Sequence, residues 1–328
     1  MNITDNRRTF SKSSFSNLKK NKIIEHCIRA FYYDNIKEAL FFTAEMMCSL
    51  YINDLWKIYI QFYCKYIHVH NIKMAIYLKQ KFEEFKSIAK TINNDFEIRN
   101  HPKMRHLFFT LSILFCKIKK ENALSTISID FSIERMNDNL CADNIEYIKP
   151  YFRENDPREF YIPLNEFAYH IEKTKNIKQI FYWIDWIIDY DWFLIKRKKQ
   201  VFIEERTFVE LNQRKNHNII WFIWDILIQK SKTYHGMIHK TIWCLLELFQ
   251  IKYNYCNNRT YKCILYVGCS LLIETNIQTD IKLIDNMNIF KDMDDKIKEI
   301  FSEIKKKEIW IEEPKSEKQK LYDSVYKI

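Results

Sequence analysis

The stretch IFYWIDWIIDYDWFLI, residues 180–195, decides the fold. It contains neither glycine nor proline, and Trp183 and Trp186 stand three apart with Asp185, Asp189 and Trp192 following, which is the spacing of a helix. A second run, IIWFIWDIL at residues 219–227, repeats the theme with Trp221, Trp224 and Asp225. The two read as facing helices that bury their aromatic side chains against each other.

Working outward, the whole chain shares this character. It has 328 residues, 47% of them hydrophobic, but only 2 glycines and 5 prolines. Hairpin turns need φ > 0 and therefore glycine, so a many-stranded sheet is close to excluded. The expected fold is all-α, a multi-helix bundle of about ten helices with at most a few short strands. Phosphate-cradling loops also need clustered glycines, and Gly236 and Gly268 stand alone. That excludes a Walker loop, a dinucleotide fingerprint and a nucleophile elbow, and no cofactor is expected.

The formal charge of +10 reflects an abundance of lysine in a chain also rich in Ile and Asn, a composition typical of AT-rich coding. Nine scattered cysteines, mostly within apolar helical stretches, read as reduced thiols of an intracellular protein. Residues 1–22 lack the apolar run of a secretory signal, and no segment offers about 20 clean apolar residues for a membrane span.

Periodicity divides the chain into a polar, disordered segment at 1–17, a five-helix unit at 18–124, an aromatic-rich helical domain at 125–307 and a tail at 308–328. Helices are expected at 18–33, after Asn35, with Glu38 three residues on in an arrangement that resembles a capping box, after Asn53 to about His68, at 71–92 and at 102–120. The alternation of Ile127, Ile129, Phe131 and Ile133 suggests a strand at the boundary, and Val201, Ile203 and Phe208 suggest short strands further on. Helices resume at 164–173, 177–194, 218–230, 237–253, 259–275 and 293–307.

Three constellations bear on chemistry. Asp185 or Asp189 with Asp225, set in an aromatic cavity, would form a carboxylate pair whose burial raises a pKa for acid–base work. The structural alternative is an aromatic helix interface flanked by solvated or Arg-paired aspartates, and it is the favoured one. Cys64 with His68 and His70, and His235 with His239 and Cys244, have helical spacing for a metal, but no C-x2-C pair exists and no metal site is assigned. Basic runs occur at Lys19, Lys20 and Lys22, at Lys117, Lys119 and Lys120, at Lys305 to Lys307, and at Lys196, Arg197, Lys198 and Lys199. The last is the candidate nucleic-acid contact, although cations at a helix C-terminus also oppose the macrodipole without any ligand.

The segment DNIKEALFFTAEMM, with Asp34, Ala39, Leu40, Phe41, Phe42, Ala44 and Met46, resembles the helical collar of clamp loaders and of Werner-helicase-interacting replication ATPases. MRHLFFTLSILFCKIKKENAL, residues 104–124, is similar to the final helix of that collar. The ATPase itself is missing, and the family's turn glycines and prolines are replaced. The resemblance implies an oligomerisation or docking unit without ATP hydrolysis. Separately, FRENDPREFYIPLNEFAYHI, YWIDWIIDYD and IIWFIWDIL resemble segments of uncharacterised proteins of nucleocytoplasmic large DNA viruses.

Together these readings give a noncatalytic helical interaction or assembly protein of such a virus, working in the host cytoplasm, viral factory or virion. It would bind a protein partner or itself, with Trp310, Leu321, Tyr322 and Tyr326 of the tail as anchors. A nucleic-acid-binding replication or transcription factor is the alternative, and an enzyme using the buried carboxylates is the third.

Overall fold

The computed structural model describes residues 2–7, 10–124, 129, 133–208, 217–252 and 258–309. The first helices are α1 (Lys20–Tyr32), α2 (Ile36–Cys48), α3 (Ile52–Phe62), α4 (Lys73–Ala89), α5 (Asp95–Asn100) and α6 (Pro102–Lys117). Next come α7 (Ile133–Asp138), α8 (Tyr161–Tyr169) and α9 (Ile177–Lys196). The last are α10 (Ile220–Ser231), α11 (Gly236–Lys252), α12 (Asn258–Ile273) and α13 (Met293–Lys305). The described residues form no sheet, and the chain is all-α.

Asparagine starts several of these helices. The Asn35 side chain accepts from the Glu38 N–H at 3.2 Å, Asn94 from Phe96 at 3.0 Å, and Asn176 from Lys178 at 3.1 Å. Each thereby satisfies an N–H that the first turn leaves without a partner. At the other end, α1, α2 and α9 close with Schellman turns. In these, Asn35 N–H bonds Ala30 C=O, Tyr51 N–H bonds Met46 C=O, and Lys199 N–H bonds Leu194 C=O. The left-handed residue is glycine in none of them: Asp34 (φ 59), Leu50 (φ 58) and Lys198 (φ 59) take that place.

Two helices end differently. Residues 63–67 after α3 and 170–174 after α8 widen into π turns that finish at His68 (φ 33) and Lys175 (φ 50). The Lys175 N–H reaches back five residues to the His170 carbonyl at 2.7 Å.

Contacts divide the chain into two units, each discontinuous in sequence. Unit 1 comprises Met1–Trp56, Phe85–Lys117 and Met287–Ile328, and unit 2 comprises Lys57–Glu84 and Ile118–Asn286. The division therefore differs from a cut at 125, because α13 joins α2 and α6 in unit 1. Its buried Ile297, Ile300, Phe301 and Ile304 need an apolar face, and Phe109 of α6 supplies part of it, with its ring 5.9 Å from that of Phe301.

Within unit 1, α2 packs on α1 and α6, and the Thr43 and Ser112 hydroxyls meet at 2.6 Å across the α2–α6 contact. Trp56, Phe85 and Phe108 form an edge-to-face trio with centroids 5.6–5.9 Å apart. The N-terminal residues, expected to be disordered, are instead packed. Ile3, Asp5, Ser14 and Phe15 are buried. The fully buried Glu45 carboxylate explains this, since it accepts from the Ser14 hydroxyl and from Ser16 N–H and Oγ at 2.7 Å. Asp5 is held in turn by the Arg7 guanidinium at 2.6 Å and by the Ile309 N–H at 3.0 Å.

Within unit 2, α9 packs chiefly on α8 and α12, while α10, α11 and α12 pack on one another. This corrects the expectation that α9 and α10 face each other: α12 is the neighbour they share. Phe181 stacks on Tyr266 of α12 at 3.9 Å, and Trp221 and Trp224 both lie 5.6 Å from Phe249 of α11. Gly268 serves the close packing of α12, because a Cβ there would stand 3.1 Å from Leu227 Cδ1 of α10.

The short strands expected around Val201, Ile203 and Phe208 do not form. Ile203 pairs locally with His217, N–H to carbonyl at 3.0 Å, while the Glu204 N–H and the Glu205 carbonyl are taken by side chains of Asp156 and Arg153. Most of the alternating segment Ile127 to Ile133 lies outside the described residues. No helix among those described is long and apolar enough to cross a membrane.

Candidate functional site

The buried carboxylates of unit 2 come first, because they carried the enzymatic expectation. Asp185, 1% exposed, accepts a hydrogen bond from the Tyr266 hydroxyl and lies 2.7 Å from the Lys262 ammonium. Burial pushes its carboxyl above the ordinary value, and the lysine and tyrosine pull it back. Asp225 of α10 is buried elsewhere, 2.9 Å from Arg206 Nε and accepting from Gln229 Nε2 at 2.7 Å. Arg206 itself is wholly buried and donates from both terminal nitrogens to Asp156, at 3.2 and 2.7 Å. Asp189 lies half-buried one turn from Asp185, and its charge adds to the upward push on that carboxyl. Asp185 and Asp225 thus answer to different partners, and each is matched by a cation. The geometry holds charge in place, and the Arg-paired reading of the aspartates describes Asp225 well.

The histidines singled out by spacing are likewise committed to structural bonds. His68 Nε2 lies 3.2 Å from the Asn122 carbonyl, and His235 Nδ1 accepts the Met237 N–H at 3.2 Å at the start of α11. His239 faces the buried Ser231 hydroxyl through Nδ1 at 2.7 Å, an arrangement that could suggest a nucleophile and its base. The other ring nitrogen decides otherwise. Trp243 donates to Nε2 at 3.1 Å, so a neutral His239 carries its proton on Nδ1 and donates to the serine oxygen. Such a ring cannot take the proton of Ser231. Among the described residues, no group of three or more His, Cys, Asp or Glu is placed to hold a metal ion. All eight described cysteines are free thiols, six of them buried, and Cys256 lies outside the described residues.

Beside a small cleft of about 280 Å³ in unit 2, where His70 Nε2 lies 3.3 Å from Glu121, two larger surfaces stand out among the described residues. In unit 1, α1, α2 and α13 border a groove of about 710 Å³. Its floor is apolar, from Leu40, Phe41, Phe42 and Ile300, and His26 stacks on Phe42 at 5.3 Å. Arg29, Lys37 and Glu38 of α1 and α2 line one part of the rim, and Lys296, Glu299 and Glu303 of α13 line another. Among the described residues Arg29, Lys37, Glu299 and Glu303 form no ion pair. Sequence reading passed over this groove, because α13 lies far along the chain from α1 and α2.

In unit 2 the second surface is the C-terminal end of α9. Rings climb the helix at three- and four-residue steps: Trp186 to Tyr190 at 4.6 Å and Tyr190 to Phe193 at 6.0 Å, both stacked. Arg197 caps the series with its guanidinium carbon 4.1 Å over Phe193, and Lys196 lies 5.8 Å over Trp192. Lys196, Arg197, Lys198 and Lys199 are all exposed. The tail anchors expected from sequence, Trp310, Leu321, Tyr322 and Tyr326, lie outside the described residues.

No family model, curated protein or solved structure matches this chain.

Proposed function

We propose that this chain is a noncatalytic helical interaction protein whose unit 1 groove receives a segment of a protein partner. The observation that carries the reading is an apolar floor bordered by charges of both signs, among which Arg29, Lys37, Glu299 and Glu303 form no ion pair with the described residues. An amphipathic helix with apolar side chains on one face, basic residues toward Glu299 and Glu303 and acidic ones toward Arg29 and Lys37 would fill it. Two sequence resemblances agree with this reading. The segments similar to a clamp-loader collar lie in α2 and α6, which pack together, and a collar implies docking or oligomerisation without ATP hydrolysis. The likeness to proteins of large DNA viruses implies a role inside an infected cell and supplies no reaction.

The test is affinity capture from the native host with the full chain and with a Glu299→Lys, Glu303→Lys variant. Both carboxylates are exposed, so the variant should keep its helical circular dichroism. A partner held by the wild type and lost by the variant is the expected result. Identical capture by both chains would count against the groove.

A further inference from the structure

We infer that the C-terminal end of α9 binds single-stranded nucleic acid, with a base stacked on the outer face of the Arg197 guanidinium and phosphates held by Lys196, Lys198 and Lys199. This site is independent of the unit 1 groove and stands or falls separately.

The stack makes the first half of the case. Trp186, Tyr190, Phe193 and Arg197 are successive planar groups, the three rings near-parallel from one to the next and the guanidinium carbon over Phe193. Trp186 is 6% exposed and Phe193 38%, so the series runs from core to solvent. Its last member lies with its guanidinium carbon 4.1 Å over Phe193 and is exposed, so a further planar π group stacked on it would continue the series. Arginine planes accept unpaired bases in this way.

The charges make the second half. In each of the other three basic runs, a lysine is ion-paired: Lys20 with Asp54, Lys22 with Glu25, Lys117 with Asp34, Lys119 with Glu121, and Lys305 with Glu308. Among the described residues, no carboxylate pairs with Lys196, Arg197, Lys198 or Lys199. The nearest acids along the helix do not neutralise them either, since Asp191 is buried against Asn218 Nδ2 at 3.0 Å and Asp189 lies two turns back, half-buried. Nor do the helix carbonyls need four cations. Phe193, Leu194 and Ile195 already accept backbone N–H groups of Arg197, Lys198 and Lys199. Three residues beyond the run, Phe202 is 53% exposed and offers a further ring.

A nucleotide combines a planar π system with an anion a few ångströms away, which is the pairing this surface presents. Duplex DNA or RNA keeps its bases stacked inside and could engage only the lysines. A lipid surface would meet the lysines and the exposed rings of Phe193 and Phe202 but supplies no planar π group to stack on Arg197, so vesicles are the competing ligand in the test.

The experiment is fluorescence anisotropy of the full chain with labelled oligothymidylate and oligouridylate of about 12 nucleotides, a duplex of equal length, and anionic phosphatidylserine vesicles. The single strands should bind more tightly than the duplex or the vesicles, with affinity falling steeply as salt rises. Arg197→Lys keeps the charge but loses the plane, and should weaken single-strand binding about tenfold with little change in the salt slope. Neutralising Lys196, Lys198 and Lys199 to Gln should reduce that slope by about 2 in log–log units. Circular dichroism of both variants checks that α9 is intact. Equal affinity for duplex, tighter binding to vesicles, an Arg197→Lys variant as good as wild type, or no binding to any oligonucleotide at low salt would each overturn the assignment.

Discussion

At the scale of single residues, the shortage of glycine has a conformational consequence. Seven described non-glycine residues adopt positive φ, among them Lys175 (φ 50, ψ 30) at the end of the π turn. A side chain in the left-handed region costs about 1–2 kcal/mol, whereas glycine there costs little in the folded state and about 0.5–1 kcal/mol more in unfolded-chain entropy. The difference favours glycine. Lys175 is exposed and makes no side-chain bond with the described residues, so Lys175→Gly should raise stability by about 0.5–1 kcal/mol in urea unfolding, with Lys175→Ala bringing no gain. The neighbouring His170 carries a pH dependence. It is 1% exposed, its Nδ1 meets the Thr174 hydroxyl at 2.8 Å, and Glu166 lies 3.7 Å from Nε2. Burial pushes its pKa down to about 4. The unfolded ring takes up a proton below about pH 6.5 and the folded ring only near pH 4, so the unfolded state binds more protons between those values. His170 therefore lowers stability as pH falls through that window, by roughly 3 kcal/mol in all. His170→Gln should remove this component, and parallel stability curves for variant and wild type would contradict it. Neither feature was legible beforehand, because sequence names the residue and not its φ or its burial.

At the scale of elements, much could be read directly. The N-cap at Asn35, the helix from 177 and the proline-started helix at 102 all follow from local chemistry that acts within one turn, although the Asn35 N–H goes to the Ala30 carbonyl and the Glu38 half of a capping box does not form. The segment between α9 and α10 did not yield to the same reading. Its alternating Val201 and Ile203 suggested strands, yet Arg206 draws the chain inward to Asp156 and Asp225, partners 50 and 19 positions away that no local pattern reveals. That buried cluster fastens the 201–206 segment to α10 and to the turn at 153–156. Arg206→Ala leaves Asp156 without its cation and Asp225 with only Arg153, at 4.0 Å, and should cost about 3–5 kcal/mol in chemical denaturation. Replacing all three, with Arg206→Met, Asp156→Asn and Asp225→Asn together, should cost less than Arg206→Met alone, since no unpaired charge is then left inside. A triple variant less stable than the single one would show that packing, and not charge, dominates there.

At the scale of the whole molecule, composition settled the fold class: a chain with two glycines and 47% hydrophobic residues has few ways to turn sharply and much surface to bury, and helices meet both conditions. Aromatic patterning likewise foretold a Trp-rich helical core, and Trp183, Trp221 and Trp224 are fully buried. Which helices meet was another matter. The placing of α12 beside both α9 and α10 separates Asp185 from Asp225 in function, and the return of α13 to α2 creates the groove of unit 1. The N-terminal residues are polar enough to look disordered, and it is the buried carboxylate of Glu45, 29 positions from Ser16, that holds them. Periodicity and capping are short-range, so they are written along the chain. Partnership between distant faces depends on how apolar stripes, cations and carboxylates compete for the same interior, and only the folded arrangement resolves that competition.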